Sequence, residues 1–207
     1  MSGSCGCEID VRSKHGIYGG INMLIDITLK ITRKMVTDAQ GNEKKALVGH
    51  LGTHFDVMNK EFPLEYTKRK GIIFDVSTVE GRDIDIEDIL LDKVEADMFV
   101  GFYTGFIEKE GYGGKVYFTE HPQLSDHLID ALLEKSISII GIDFAGVRRG
   151  KEHTPKDQYC ADRSVFIIEN LCNLKAVLDV GGVGIINTYP MNYADMTGLP
   201  CRVVVEV

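Results

Sequence analysis

The sequence predicts one domain of mixed α/β type (α/β or α+β) built on a mixed sheet. Three observations predict it. A chain of 207 residues suits one large domain better than two very small ones. Runs of strand type outnumber helical runs and are interleaved with them. Apolar residues make up 44% and charged residues 26%, the balance of a chain that can bury a sizeable core.

Residues 1–22 are rich in Gly and Ser and show no clean period, so they are set apart as an N-terminal extension or arm. The domain proper is expected over residues 23–207. From Met23, "MLIDITLKIT" mixes Leu24, Ile25, Ile27, Leu29 and Ile31 with polar residues, as a strand with one buried face does. "GIIFDVST" and "ADMFVGFYTG" are β-branched and aromatic runs bounded by turn residues. Between them, "DIDIEDILLDK" sets Ile86, Ile89 and Leu90 at helical spacing in a short acidic helix or turn. "HPQLSDHLIDALLEKS" is the clearest helix, with Leu124, Leu128, Ile129, Leu132 and Leu133 on one stripe. Either Pro122 opens it or Ser125 caps it. "SISIIGIDFAG" reads as a buried strand ending in a loop, and "KEHTPKDQYCADR" as a polar stretch with a short helix after Pro155. "SVFIIENL", "VGIINTYP" and "CRVVVEV" complete the strands. No internal repeat or low-complexity segment appears.

The formal net charge of −8 leaves no electrostatic footprint for nucleic acid. Lys68-Arg69-Lys70, the longest basic cluster, reads as a solvated face. No apolar stretch approaches the roughly 20 residues that span a bilayer. The N-terminus lacks the charged-then-apolar order of a signal peptide, so a cytoplasmic protein is expected. The odd set Cys5, Cys7, Cys160, Cys172 and Cys201 fits reduced thiols in a reducing compartment. Cys5 and Cys7 are spaced C-x-C, but no second Cys or His pair lies near to complete a structural zinc site.

"GHLGTHFD" packs His50, His54 and Asp56 into seven positions. Two imidazoles and a carboxylate make a set that suits catalytic Zn, Mn or Fe and leaves coordination positions open. In a straight strand, positions 50 and 54 lie roughly 13 Å apart, too far for one ion. Either the chain bends at Gly52 or a helical turn brings the histidines together; the spacing does not choose. H-x-x-x-H alone is a weak signal, and no Glu follows His50 as it would in a zincin helix.

"HLGTHFD" resembles the H-x-G-T-H-x-D motif of the metal-dependent cyclase family, which includes bacterial kynurenine formamidases and isatin hydrolases. The likeness runs from about Met23 to Val207. "MLIDIT" resembles the family's opening strand, and "FYTGF" its T-G-W turn with Phe106 in place of Trp. "GIDFAGV" resembles G-I-D-x-x-S-V, "IIENLCNL" resembles I-x-E-N-L-x-N-L, and "LPCRVVVEV" resembles the closing S-P-V-R strand. The resemblance implies a swivelling β/β/α-type domain in dimers or tetramers. It implies a hydrolase that uses one or two divalent ions (Zn or Mn) to cleave a carbon–nitrogen bond of a small molecule: an amide, a cyclic amide or an aryl formamide. On the matching positions His50, His54 and Asp56 are ligands of the first metal. Glu169 is a ligand of the second position, or its opposite wall, and a candidate proton carrier. Asp143 either orients a ligand or closes a turn.

Two departures stand out. The family motif commonly continues D-x-P-x-H, and its last histidine is the general acid/base. Here "DVMNK" puts Met58 at the proline and Lys60 at that histidine, which makes Lys60 the candidate catalytic group. The family also commonly carries a histidine twelve residues before the E-N-L glutamate; that place is Asp157, with His153 as the competing ligand four residues earlier. The alternative to an enzyme is a non-catalytic member of the same fold that binds a metal and a small ligand. Elsewhere, His121, His127, Arg148 and Arg149 are expected at the surface, Cys160 as a packed thiol, and Tyr103, Phe106, Tyr112 and Phe118 in the core or an interface.

Overall fold

A sheet of nine strands organises the computed structural model, which describes residues 11–15, 21–42 and 49–207. In chain order the strands are β1 (Val11–His15), β2 (Ile21–Asp26), β3 (His54–Asp56), β4 (Lys68–Asp75), β5 (Phe99–Tyr103), β6 (Ile139–Ile142), β7 (Phe166–Glu169), β8 (Val183–Pro190) and β9 (Gly198–Glu206). The helices are α1 (Arg33–Asp38), α2 (Phe106–Glu110), α3 (Lys115–Thr119), α4 (Asp126–Glu134), α5 (His153–Ala161) and α6 (Leu174–Leu178). The acidic stretch after β4 forms two short 3₁₀ turns, Ile86–Asp88 and Leu91–Lys93. Cys5 and Cys7, with the zinc reading they carry, lie outside the described residues. Of the segment set apart as an arm, Val11–His15 forms β1 and pairs antiparallel with β2.

The spatial order is β1-β2-β9-β3-β7-β6-β5-β4-β8, and β8 pairs back onto β9. The seven strands from β9 round to β8 therefore form a closed, mixed ring, with the β1–β2 hairpin as a side extension. β4, β5, β6 and β7 run parallel, and every other pairing is antiparallel. Parallel strands covered on both faces read as continuous apolar runs, and "FIIE" and "IIGI" are such runs, buried throughout.

Alternate residues of these strands serve two cores. Phe55, Phe99, Ile139, Phe166, Ile168, Ile186 and Val205 pack together on one face. Val100, Ile140, Ile142 and Ile167 pack on the other, against Leu124, Leu128, Ile129 and Leu132 of the α4 region and Cys160 of α5. α4 begins after Ser125, whose hydroxyl accepts from Leu128 N at 2.9 Å, so the serine sets its start and Pro122 lies outside the helix. Among the described residues, no helix is long and apolar enough to cross a membrane.

Candidate metal centre

β3 presents its chemistry by simple alternation. Phe55 enters the core that contains Ile168, so its neighbours His54 and Asp56 share the opposite face. In the β3–β7 pair His54 stands directly across from Glu169. Two strands distant in sequence thus bring an imidazole and two carboxylates to one patch, all nearly inaccessible to water.

His50 precedes β3, and of the two routes the spacing left open the chain takes the bend at Gly52. Gly52 adopts a left-handed φ of 75°, open to glycine at no steric cost. The turn brings the two imidazole rings to 4.8 Å, edge to face. Asp56 Oδ1 is 3.0 Å from His50 Nε2 and 3.6 Å from His54 Nε2. His54 Nε2 lies 3.7 Å from Glu169 Oε2.

α5 covers this patch with a second set of groups. The helix begins at His153, two residues before Pro155, which sits in its first turn, where a missing N–H costs nothing. His153 and Asp157 are then i and i+4 on one helix face, with His153 Nε2 3.2 Å from Asp157 Oδ2 and 3.0 Å from Glu169 Oε1. Both candidates posed for the second position, Asp157 and His153, reach the cluster. Two overlapping triplets result, His50–His54–Asp56 and Asp56–His153–Asp157, each with ligand-type atoms within 4.8 Å of one another.

The electrostatics of the patch are unbalanced. Burial, and next the charge of Asp56, push the carboxyls of Asp157 and Glu169 well above the usual range. Burial opposes the charge on Asp56, but the imidazoles of His54 and His50 outweigh it and hold that carboxyl below its ordinary value. Burial likewise opposes charge on His54, and Asp56 and Glu169 reverse it, so that its pKa rises. Among the described residues, three buried side-chain atoms have no hydrogen-bond partner: His54 Nε2, Asp56 Oδ2 and Asp157 Oδ1. All belong to this cluster. Orphaned buried acceptors are costly, and a cation among two imidazoles and several carboxylates satisfies them together. The residues present therefore fit a divalent metal.

Lys60 is not brought to this cluster. Its ammonium is 2.6 Å from Asp162 just past the end of α5, and both side chains are partly exposed. Gln158 of α5 reinforces the latch by donating to Asn59 Oδ1 at 2.9 Å. Lys60 instead lines a groove of about 1150 Å³ with Tyr189, Met191 and Tyr193, and none of the clustered side chains lines it. That placement gives Lys60 no proton-carrying position at the cluster.

Other expectations meet the structure as follows. Asp143 closes a turn: it accepts from Thr104 N at 2.9 Å, Thr104 Oγ1 at 2.5 Å and Gly105 N at 2.7 Å. His121 is buried rather than at the surface; its ring stacks on Phe144 at 5.6 Å, and burial lowers its pKa to about 4. Arg148 is also largely buried, bridging Asp83 and Glu152. Neither burial was legible as periodicity: Phe144 and Asp83 come from separate segments, and only Glu152 is a near neighbour, four residues from Arg148. Cys160 is the packed thiol expected, with burial pushing its pKa up to about 12.

Residues 25–148, more than half of the chain, match the model of the Cyclase family, described as "Putative cyclase". No curated protein matches the chain. Among solved structures, one described as a "Potential Metal-Dependent Hydrolase With Cyclase Activity" is similar at 24% identity and a TM-score of 0.69, over 88% of this chain and 96% of that one. A predicted metal-dependent hydrolase from Bacillus stearothermophilus gives 23% identity and a TM-score of 0.66, over 88% and 97%. Isatin hydrolase A from Labrenzia aggregata gives 19% identity and a TM-score of 0.63, over 75% and 72%. At these identities the likeness to the solved structures is one of fold. With its H-x-G-T-H-x-D stretch and its T-G turn both inside the matched segment, the chain belongs to the cyclase family.

Proposed function

We propose that the protein is a metal-dependent hydrolase of a carbon–nitrogen bond in a small amide, cyclic amide or aryl formamide. The observation that carries this reading is the set of three orphaned buried atoms, His54 Nε2, Asp56 Oδ2 and Asp157 Oδ1, gathered in one cluster. His50, His54 and Asp56 would hold one divalent ion, zinc or manganese. Asp56, His153 and Asp157 would hold a second, with Glu169 as the wall between the two sets. When bound, such an ion supplies Lewis acidity, polarising a carbonyl and lowering the pKa of water toward about 7.

The protein's own groups supply the proton traffic. Glu169 is buried at the cluster, where burial first and the charge of Asp56 next raise its pKa well above the ordinary range. Its Oε1 lies 3.0 Å from His153 Nε2, and His153, the more exposed of the two, stands on the solvent side of the buried carboxyl. Glu169 is thus the better candidate than Lys60 for the acid/base role. The assembly expected from the family resemblance is a homodimer or homotetramer. A reducing, cytoplasmic setting suits the buried thiols of Cys160 and Cys172.

The test is metal analysis of the purified protein, then a panel of amides, lactams and aryl formamides with matched esters. Turnover that a chelator abolishes and zinc or manganese restores supports the reading. One observation favours a second reading, a binding protein without turnover: the position of the family's acid/base histidine carries a lysine held away by Asp162. Tight metal binding with no turnover across the panel would select that alternative, and absence of metal binding would remove both.

A further inference from the structure

We propose that Tyr117 is a positioning residue for the metal centre, acting through the side chain of Asn170 and the carbonyl of Gly52 on the ring of His54. The inference rests on the metal reading above and adds Tyr117 and Asn170, which reach the ligand His54 only through the Gly52 carbonyl. Tyr117 lies on α3, fully buried, its ring 5.8 Å from that of Phe106 and 5.5 Å from that of Tyr112. Its hydroxyl is 2.7 Å from Asn170 Oδ1. Asn170 Nδ2 is 2.9 Å from the Gly52 carbonyl oxygen, and His54 Nδ1 is 2.8 Å from that same oxygen.

The direction of every bond in this chain is fixed. A carbonyl oxygen only accepts. Asn170 must therefore turn its nitrogen to Gly52, its Oδ1 must face Tyr117, and the tyrosine must donate. His54 Nδ1 must likewise carry the proton it gives to Gly52, which in the neutral ring leaves Nε2 as a bare lone pair. That Nε2 is one of the orphaned atoms of the cluster.

The relay also fixes the backbone at Gly52, the residue that turns the chain between His50 and His54. Gly52 N–H donates to the Tyr112 hydroxyl at 2.9 Å, so the two peptide units that flank this residue are held, one by Tyr112 and the other, through Asn170, by Tyr117. Asn170 is itself anchored: its N–H donates to Phe144 O at 3.1 Å, and its carbonyl accepts from Thr53 Oγ1 at 2.8 Å. Partners that hold a metal-binding histidine in one tautomer and orientation set its strength as a ligand; their loss costs about 10–100-fold in metal affinity.

The test uses the full chain with Tyr117→Phe, Asn170→Gly and the double variant. Asn170 has a left-handed φ of 59°, so glycine removes the side chain without backbone strain. In the metal-free protein at alkaline pH, long-range ¹H–¹⁵N NMR is expected to show His54 as the Nδ1–H tautomer in wild type and as a mixture in both single variants. Zinc affinity, read by competition with a chromophoric chelator, is expected to fall roughly ten-fold in Tyr117→Phe. Adding Tyr117→Phe to Asn170→Gly is expected to lower it no further, since the tyrosine then has nothing to act through. A lowered melting temperature with unchanged tautomer and affinity overturns the proposal, and so does additivity in the double variant. Asn170→Gly carries the test if Tyr117→Phe does not fold. Should wild type bind no zinc, the metal reading fails, while the tautomer measurement still decides the relay.

Discussion

Asp157 and Glu169 are carboxyl groups withdrawn from water beside a third, Asp56. Burial first and the charge of Asp56 next raise both their pKa values well above the ordinary range. A carboxyl of raised pKa contributes stability that is complete below its unfolded value of about 4 and is lost as pH climbs through the folded value. Without metal the cluster therefore grows more strained as pH rises, and a cation must displace the protons it retains. Zinc affinity is expected to increase with pH above the ordinary carboxylate range, and calorimetry in two buffers of different ionisation enthalpy should show proton release. Affinity that is flat over that range would mean both carboxyls are already ionised. Lys60 gives a contrasting expectation. Its ion pair with Asp162 is solvent-screened and distant in role from the cluster, so Lys60→Met should leave zinc affinity within about two-fold of wild type. A large loss would return Lys60 to the site.

Within the strands, the glycines make room for rings. A Cβ at Gly141 on β6 would stand 2.2 Å from Cζ of Phe99 on β5. Glycine ordinarily weakens a strand interior, but here the neighbouring ring occupies the space a side chain would take. Gly141→Ala is expected to overpack that core and cost roughly 1–3 kcal/mol in urea unfolding; an unchanged or increased stability would show that Phe99 can move aside freely. α5 teaches a related lesson. A helix after Pro155 was legible from "KEHTPKDQYCADR", but its start at His153 was not, and that start is what puts His153 on the same face as Asp157.

For the molecule as a whole, the cluster joins β3, β7, α5 and the turn at Gly52, so a bound cation crosslinks segments spread over about half of the chain. A ligand at 100 times its dissociation constant stabilises the native state by about 2.7 kcal/mol. In a chain of this size that is a rise of roughly 5–10 °C in melting temperature. Zinc or manganese is expected to give such a rise, and Asp157→Ala and His153→Ala are each expected to diminish it. If His153→Ala loses the gain while Asp157→Ala keeps it in full, the aspartate is not a ligand and the second triplet reduces to its histidine side.

The sequence by itself determined the mixed α/β class, the approximate place of each strand from β4 onward, and the grouping of His50, His54 and Asp56 around Gly52. These are local properties: periodicity, turn chemistry and short spacing are all written within a few residues. Tertiary structure alone decided that β8 closes the ring on β9, that Glu169 stands opposite His54, and that Lys60 is latched to Asp162. It also decided that His121 is buried against Phe144 and that both His153 and Asp157 reach Asp56. Each of these depends on which distant segment becomes a neighbour. Strand order and register fix that, and they follow from packing two cores on the two faces of one sheet rather than from any single stretch of chain.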